Sequence, residues 1–196
     1  PNLAAMAAIQ LREQLRSEER WTRYQAKRLL FAKSTEEIRR AFGKFDSSNL
    51  LHTYRDIGVL EAHGIFRRDL MERLLNDGNP AARCYGVRMI GNWAAEIPDA
   101  LGLLERFIRD ENPRVRLESV VAATYVGSPA ALEIAVKALD SPMDPFLDYA
   151  LRQAVHALAE DWKPAFTAGR LTFGGRSKHA AFVLQEDGGK DIAGQL

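Results

Sequence analysis

The chain has 196 residues, 46% of them apolar and 27% charged, with a formal net charge of +1. That length suffices for one domain with a sizeable core, and the near-zero charge argues against a strong general affinity for nucleic acid. No apolar run approaches the length of a membrane span, and Cys84, the only cysteine, excludes an internal disulfide.

In chain order, residues 3–15 and 18–33 read as helices. They carry Arg12, Arg16, Arg20, Arg23, Lys27 and Arg28 interspersed with Glu13, Glu18 and Glu19. Mixed signs at this spacing point to a solvated helical face rather than a phosphate-binding stripe. Ser34-Thr35-Glu36-Glu37 is a capping box that opens a helix over 35–45. Helices over 49–63 and 66–76 follow. Asn79-Pro80 then starts a helix over 80–95, in which Cys84 reads as a small buried apolar residue. The next helix, 98–109, carries the stripe Leu101, Leu104, Phe107 and Ile108. Asn112-Pro113 opens 113–126, where Val115, Val120, Val121 and Tyr125 fit one broad core stripe. Ser128-Pro129 opens 129–140 and Asp144-Pro145 opens 145–160.

These starts share a physical cause. The short polar side chain accepts a bond from an orphan backbone N–H. Proline at the first helical position loses nothing, because its missing N–H would have had no helical partner. No segment alternates like a strand. Beyond Trp162 the chain should leave the regular pattern, with tight turns at Gly174-Gly175 and Gly188-Gly189 and a short helix over Ser177–Gln185. Residues 1–168 therefore form one helical array and 169–196 a C-terminal extension. A first residue that is not methionine, and the closing Asp191-Ile192-Ala193-Gly194-Gln195-Leu196, point to a piece of a longer protein.

The helices repeat. Asn79-Pro80 with Arg83 recurs as Asn112-Pro113 with Arg116, 33 residues on, and Asp144-Pro145 follows at 32, with Asp148 in the arginine position. A weaker copy is Arg23-Tyr24-Gln25-Ala26-Lys27-Arg28-Leu29-Leu30. Periods of about 30–45 residues mark helical solenoids. The run Asp110-Glu111-Asn112-Pro113-Arg114-Val115-Arg116-Leu117-Glu118 resembles a HEAT-type repeat. The fold expected is all-α, an α-α superhelix of the HEAT/armadillo kind, right-handed, with about five helix pairs. Asp77 and Asp110 each stand six residues before Arg83 and Arg116. We read the four as a structural ladder that ties turns to neighbouring repeats; a ligand-gripping polar row is the alternative.

Reactive chemistry is thin. His52, His63, His156 and His179 never fall on adjacent helical turns, so no metal site is expected. There is no phosphate or dinucleotide glycine loop and no Cys-x-x-Cys-His. Asp140, Asp144, Asp148, Glu160 and Asp161 gather toward the C-terminal end, without any sign of a cleft that would shift a pKa. Trp21, Trp93 and Trp162 read as wedges between helices rather than ligand platforms. No catalytic, metal or cofactor residue is assigned, and no cofactor is expected.

The C-terminal third carries a more specific likeness. Asp144-Pro145-Phe146-Leu147-Asp148-Tyr149-Ala150-Leu151, Ala157-Leu158-Ala159-Glu160-Asp161-Trp162-Lys163-Pro164-Ala165-Phe166, Gly169-Arg170-Leu171-Thr172-Phe173-Gly174-Gly175 and His179-Ala180-Ala181-Phe182-Val183-Leu184 resemble the HEAT-repeat region of large exported planctomycete-type proteins. The likeness extends back to about Leu11. In that family a propeller of the glucose/sorbosone-dehydrogenase type often precedes the repeats and a c-type cytochrome often follows. One departure is Gln153 with His156, on a helix richer in Trp and Thr in that family. The resemblance implies a middle segment, periplasmic or at the cell surface, that positions redox domains.

The function expected is a non-enzymatic scaffold whose partner is a protein or a neighbouring domain of the same polypeptide. Two enzymatic alternatives share the fold class. One is a HEAT-like DNA-binding enzyme of the alkylpurine-glycosylase type, which needs a strongly basic concave face that the net charge disfavours. The other is a chromophore lyase-like protein, which needs a ligand groove.

Overall fold

The computed structural model describes residues 2–44 and 49–188. Among them every regular element is helical. The chain divides into two compact units, Pro1–Arg73 and Leu74–Leu196.

The first unit contains a short 3-10 turn at Leu3–Ala5, then α1 (Ala8–Gln14), α2 (Arg20–Phe31), α3 (Thr35–Ala41) and α4 (Leu50–Ala62). Helix α1 packs on α2 and α3, and α2 packs on α4. Ser34 caps α3 as expected: its hydroxyl accepts from the Glu37 N–H while the Glu37 carboxylate accepts from the Ser34 N–H. Those bonds from Ser34 hold the exposed Glu37 carboxyl below its usual range. Leu11, Leu15, Leu30, Ile38, Phe42 and Ile57 form the buried centre. The helix expected over 3–15 is broken instead, because Met6 and Ala7 are extended between the 3-10 turn and α1. The expected helix over 35–45 stops at Ala41, and its last expected residue, Phe45, lies outside the described residues.

Helix α5 (Arg68–Leu75) leads into the second unit. There follow α6 (Pro80–Asn92), α7 (Ala100–Phe107), α8 (Pro113–Val126), α9 (Pro129–Ala135), α10 (Pro145–Ala157), α11 (Ala159–Thr167) and α12 (Ser177–Glu186). Helices α6, α8 and α10 pack side by side as one layer, and α7, α9 and α11 form the second. Each helix also packs on the one that follows it in the chain, from α6 through α11. This is the two-layer stacking of an α-α solenoid, in which each module buries its apolar side against its neighbours.

The four Asx/Ser-Pro starts all cap helices. Asn79, Asn112, Ser128 and Asp144 each accept a backbone N–H one to two residues beyond the following proline, and each proline holds the first helical position. Helix α8 ends at Gly127, whose left-handed backbone (φ 60°, ψ 58°) suits a residue without Cβ. The segment expected as one helix over 129–140 is α9 followed by a 3-10 turn at Val136–Asp140. The segment expected over 145–160 is two helices, and α11 runs past Trp162 to Thr167 with Pro164 inside it. Trp162 is fully buried, donates its Nε1–H to the Val155 carbonyl at 2.9 Å and meets Phe166 edge-on at 6.3 Å. It is the wedge expected of it. Gly174 and Gly175 form the expected tight turn, both at positive φ. Gly188 also has positive φ, whereas Gly189 and the closing segment from Asp191 lie outside the described residues.

Candidate functional site

The four ladder residues come together at the turns of the second unit. The Arg83 guanidinium grips the Asp110 carboxylate with two bonds, Nε to Oδ2 at 2.8 Å and Nη2 to Oδ1 at 2.9 Å. Its Nη1 donates to the carbonyls of Asp77 and Gly78, and its Nη2 also reaches Glu111 at 3.4 Å. All five N–H groups are thus used within the chain. Hydrogen bonding to Asp110 raises the Arg83 pKa above its ordinary value. Asp77 and Asp110 play the same local part, each accepting the N–H two residues on, from Asn79 and Asn112 at 2.8 Å. Arg116 repeats the wrap on its own turn, donating to the carbonyls of Asp110 and Glu111, and reaches the next turn at the Pro142 carbonyl, 2.9 Å away. Asp148, one repeat later, bonds Arg152 within α10 instead.

Two polar clusters, one buried and one built on a buried histidine, escape a reading of periodicity. In the first unit Arg12 lies beneath the surface, paired with Asp56 through Nε at 3.1 Å and Nη2 at 2.5 Å, with side chains 7% and 4% exposed. Its Nη1 donates to the carbonyls of Ala41 and Lys44, and its Cζ lies over the Phe42 ring, 4.7 Å from the ring centre. Arg12 therefore does not belong to the solvated face expected of the N-terminal basic run. The signal was available only in three dimensions, since Asp56 is 44 residues away in sequence. In the second unit the buried His179 meets Asp140 at 2.9 Å, and Arg176 joins the same carboxylate. Burial alone would raise the Asp140 pKa, but the bonds and charges of His179 and Arg176 bring it below its usual range. The cluster staples α12 to the 3-10 turn after α9. Among the described residues no group of three metal-ligating side chains converges, and Cys84 is buried, which pushes its thiol pKa up.

The open feature of the second unit is apolar. Between α8 and α10 runs a groove of about 390 Å³, lined by Leu117, Val121, Thr124, Phe146, Tyr149, Ala150, Gln153, Ala154 and Ala157. Phe146 is 76% exposed and Tyr149 65%. Val121 also borders the adjoining cleft between α6 and α8, together with Tyr125, which is 64% exposed, and the Arg88–Glu118 ion pair at 2.5 Å. Val121 and Tyr125 thus leave the core stripe in which the sequence places them. Helix α8 buries Val115, Val120, Ala122 and Ala123 on one side and turns Val121 and Tyr125 outward. A helix with more apolar residues than one stripe can hold has a second apolar face, and that surplus is the signal in the sequence. Trp21 departs likewise: it is 62% exposed rather than wedged between helices.

Residues 68–159 match the HEAT repeats family. The match covers α5 to α10, so it contains the ladder and both helices that wall the groove. No match to the chain is found among curated proteins. No helix among the described residues is long and apolar enough to cross a membrane.

Proposed function

We propose that this chain is a non-catalytic helical-repeat scaffold, and that its α8–α10 groove takes an apolar helix of a partner protein. The observation that carries the reading is the outward row of Val121, Tyr125, Phe146 and Tyr149, presented by two side-by-side helices of the HEAT-like layer. Large aromatics at such exposure gain most when a partner covers them. A groove between two adjacent helices suits the ridge of a third. The charges of the adjoining α6–α8 cleft do not call for a charged occupant, since Arg88 and Glu118 already neutralise one another. The ladder has a different part, as every Arg83 donor is used inside the chain.

A labelled amphipathic peptide helix rich in leucine, titrated with the full chain, tests this. Replacing Phe146 and Tyr149 together by serine should weaken binding by roughly tenfold or more, the equivalent of losing about 1.4 kcal/mol of contact. An unchanged affinity would remove the groove from consideration. On the strength of the C-terminal resemblance, we place the scaffold in an exported multidomain protein that positions redox domains. The full-length gene tests that part: a propeller upstream and a Cys-x-x-Cys-His motif downstream are expected, and flanks encoding neither would refute it.

A further inference from the structure

The first unit holds a groove of opposite chemistry. It measures about 370 Å³ and is lined by Leu15, Tyr54 and Tyr24 together with Arg20, Arg23, Lys27 and Arg55, with no carboxylate in its walls. Among the described residues none of these four cations lies within ion-pair distance of an acid. That sets them apart on a chain whose other basic groups are so often paired. Glu18 and Glu19 are close in sequence but do not line the groove, and Glu19 accepts the Thr22 hydroxyl.

Two of the cations are held in place by backbone rather than by counter-charge. Arg23 donates its Nη1 to the carbonyls of Ser17 and Glu18, at 2.8 and 2.5 Å, and Arg55 donates its Nη1 to the Leu15 carbonyl at 2.8 Å. Both guanidinium groups keep further N–H donors for something else. Burial, and then repulsion from Arg23, hold the Arg55 pKa below its ordinary value, so the two cations act on each other without a compensating anion. The Lys27 ammonium completes the set from above Gly58 of α4.

Aromatic rings border the cations. On α2, Arg20, Arg23 and Lys27 recur at helical spacing, and Trp21, Tyr24 and Arg28 recur one residue later. Trp21 and Tyr24 form a tilted ring pair at 5.6 Å, and Arg28 stands over Tyr24 at 5.9 Å. Arg20, Trp21 and Tyr24 line an adjoining open hollow.

We propose that the α2–α4 groove is a docking site for a short acidic segment of a partner protein, with carboxylates on Arg20, Arg23, Lys27 and Arg55 and an aromatic side chain on the Trp21–Tyr24 pair. Charge complementarity identifies the occupant: uncompensated, partly immobilised guanidinium groups match carboxylates in geometry as well as sign. The confined length of the groove, on a chain of net charge +1, offers no continuous basic track for a nucleic-acid backbone. This site is independent of the α8–α10 surface.

The test is fluorescence anisotropy with the full chain and a labelled short peptide of glutamates around one phenylalanine. Binding should weaken as salt is raised. Reversing charge with Arg20→Glu and Lys27→Glu, both exposed, should weaken it by about tenfold or more, and Trp21→Ala by roughly threefold to tenfold. Phe146→Ser with Tyr149→Ser should leave it unchanged, which separates this site from the apolar groove. Equal binding of a lysine-for-glutamate peptide, tighter binding of a short oligothymidylate, or full affinity in the charge-reversed protein would each overturn the proposal.

Discussion

Truncating Arg83 would do more than remove one ion pair. Its partner Asp110 is nearly buried and would be left charged, while the carbonyls of Asp77 and Gly78 would lose their donor. Arg83→Ala should therefore destabilise the protein by about 1–3 kcal/mol in urea unfolding, the range for leaving a sheltered hydrogen-bonding group without its partner. Acid should act through carboxyls whose folded pKa is lowered, Asp69 by its bond from Arg67 and Asp140 by His179 and Arg176 against the opposing effect of burial. Such a group binds fewer protons folded than unfolded. Its stabilisation is complete above the unfolded pKa and is lost as pH falls through the folded one. The melting-temperature gap between the native chain and Asp140→Asn should thus be present at neutral pH and close in strong acid. At this scale the sequence was partly legible. Asp77, Arg83, Asp110 and Arg116 stand out because their spacing recurs, whereas Arg12–Asp56 and Asp140–His179 join residues about 40 apart with no repeat to mark them.

Helix starts were the most legible elements, because an Asx/Ser-Pro pair states its conformation locally. Asn112→Ala should cost about 1 kcal/mol, as N-cap losses do, since the Arg114 N–H would lose its acceptor. Helix ends and breaks were less legible. Residues 136–140 tighten to 3-10 and the 145–160 segment splits at Leu158, with no proline or glycine at either break to announce it. Helices α6 and α8 approach closely at small residues, Ala122 among them, as such residues allow. A Cβ at Gly91 would come within 3.0 Å of the Ala122 Cα and 3.2 Å of its Cβ, so α6 and α8 touch backbone to backbone there. Gly91→Ala gains roughly 1 kcal/mol of helix propensity but forces overpacking worth roughly 1–3 kcal/mol. A fall in stability is expected by calorimetry. Val121 and Tyr125 of α8 were placed in the core because periodicity identifies apolar positions without saying which of two apolar faces meets a neighbour.

At the scale of the whole chain, the second unit is a row in which each module leans on the next. A local lesion in such an array loosens its neighbours before distant modules. Hydrogen exchange on Gly91→Ala should accelerate in α6 and α8 well before α12, and uniform acceleration across the second unit would mean that it opens as one body. The repeat period gave the solenoid architecture away from composition and spacing alone, because stacking demands the same buried positions every 32 or 33 residues. The binding chemistry was less visible. Exposed aromatics and uncompensated cations become distinct only when their covered counterparts are known.

The ladder also has a direction. Arg83 reaches forward to the turn that precedes α8, Arg116 reaches forward to the turn that precedes α10, and at Asp148 the series halts because an acid occupies the arginine's place. A tandem copy of residues 80–112 spliced in before Pro113 would present a matching clasp at both of its borders. The array could lengthen there by gene duplication with its clasp intact, while the end marked by Asp148 offers a newcomer no matching arginine.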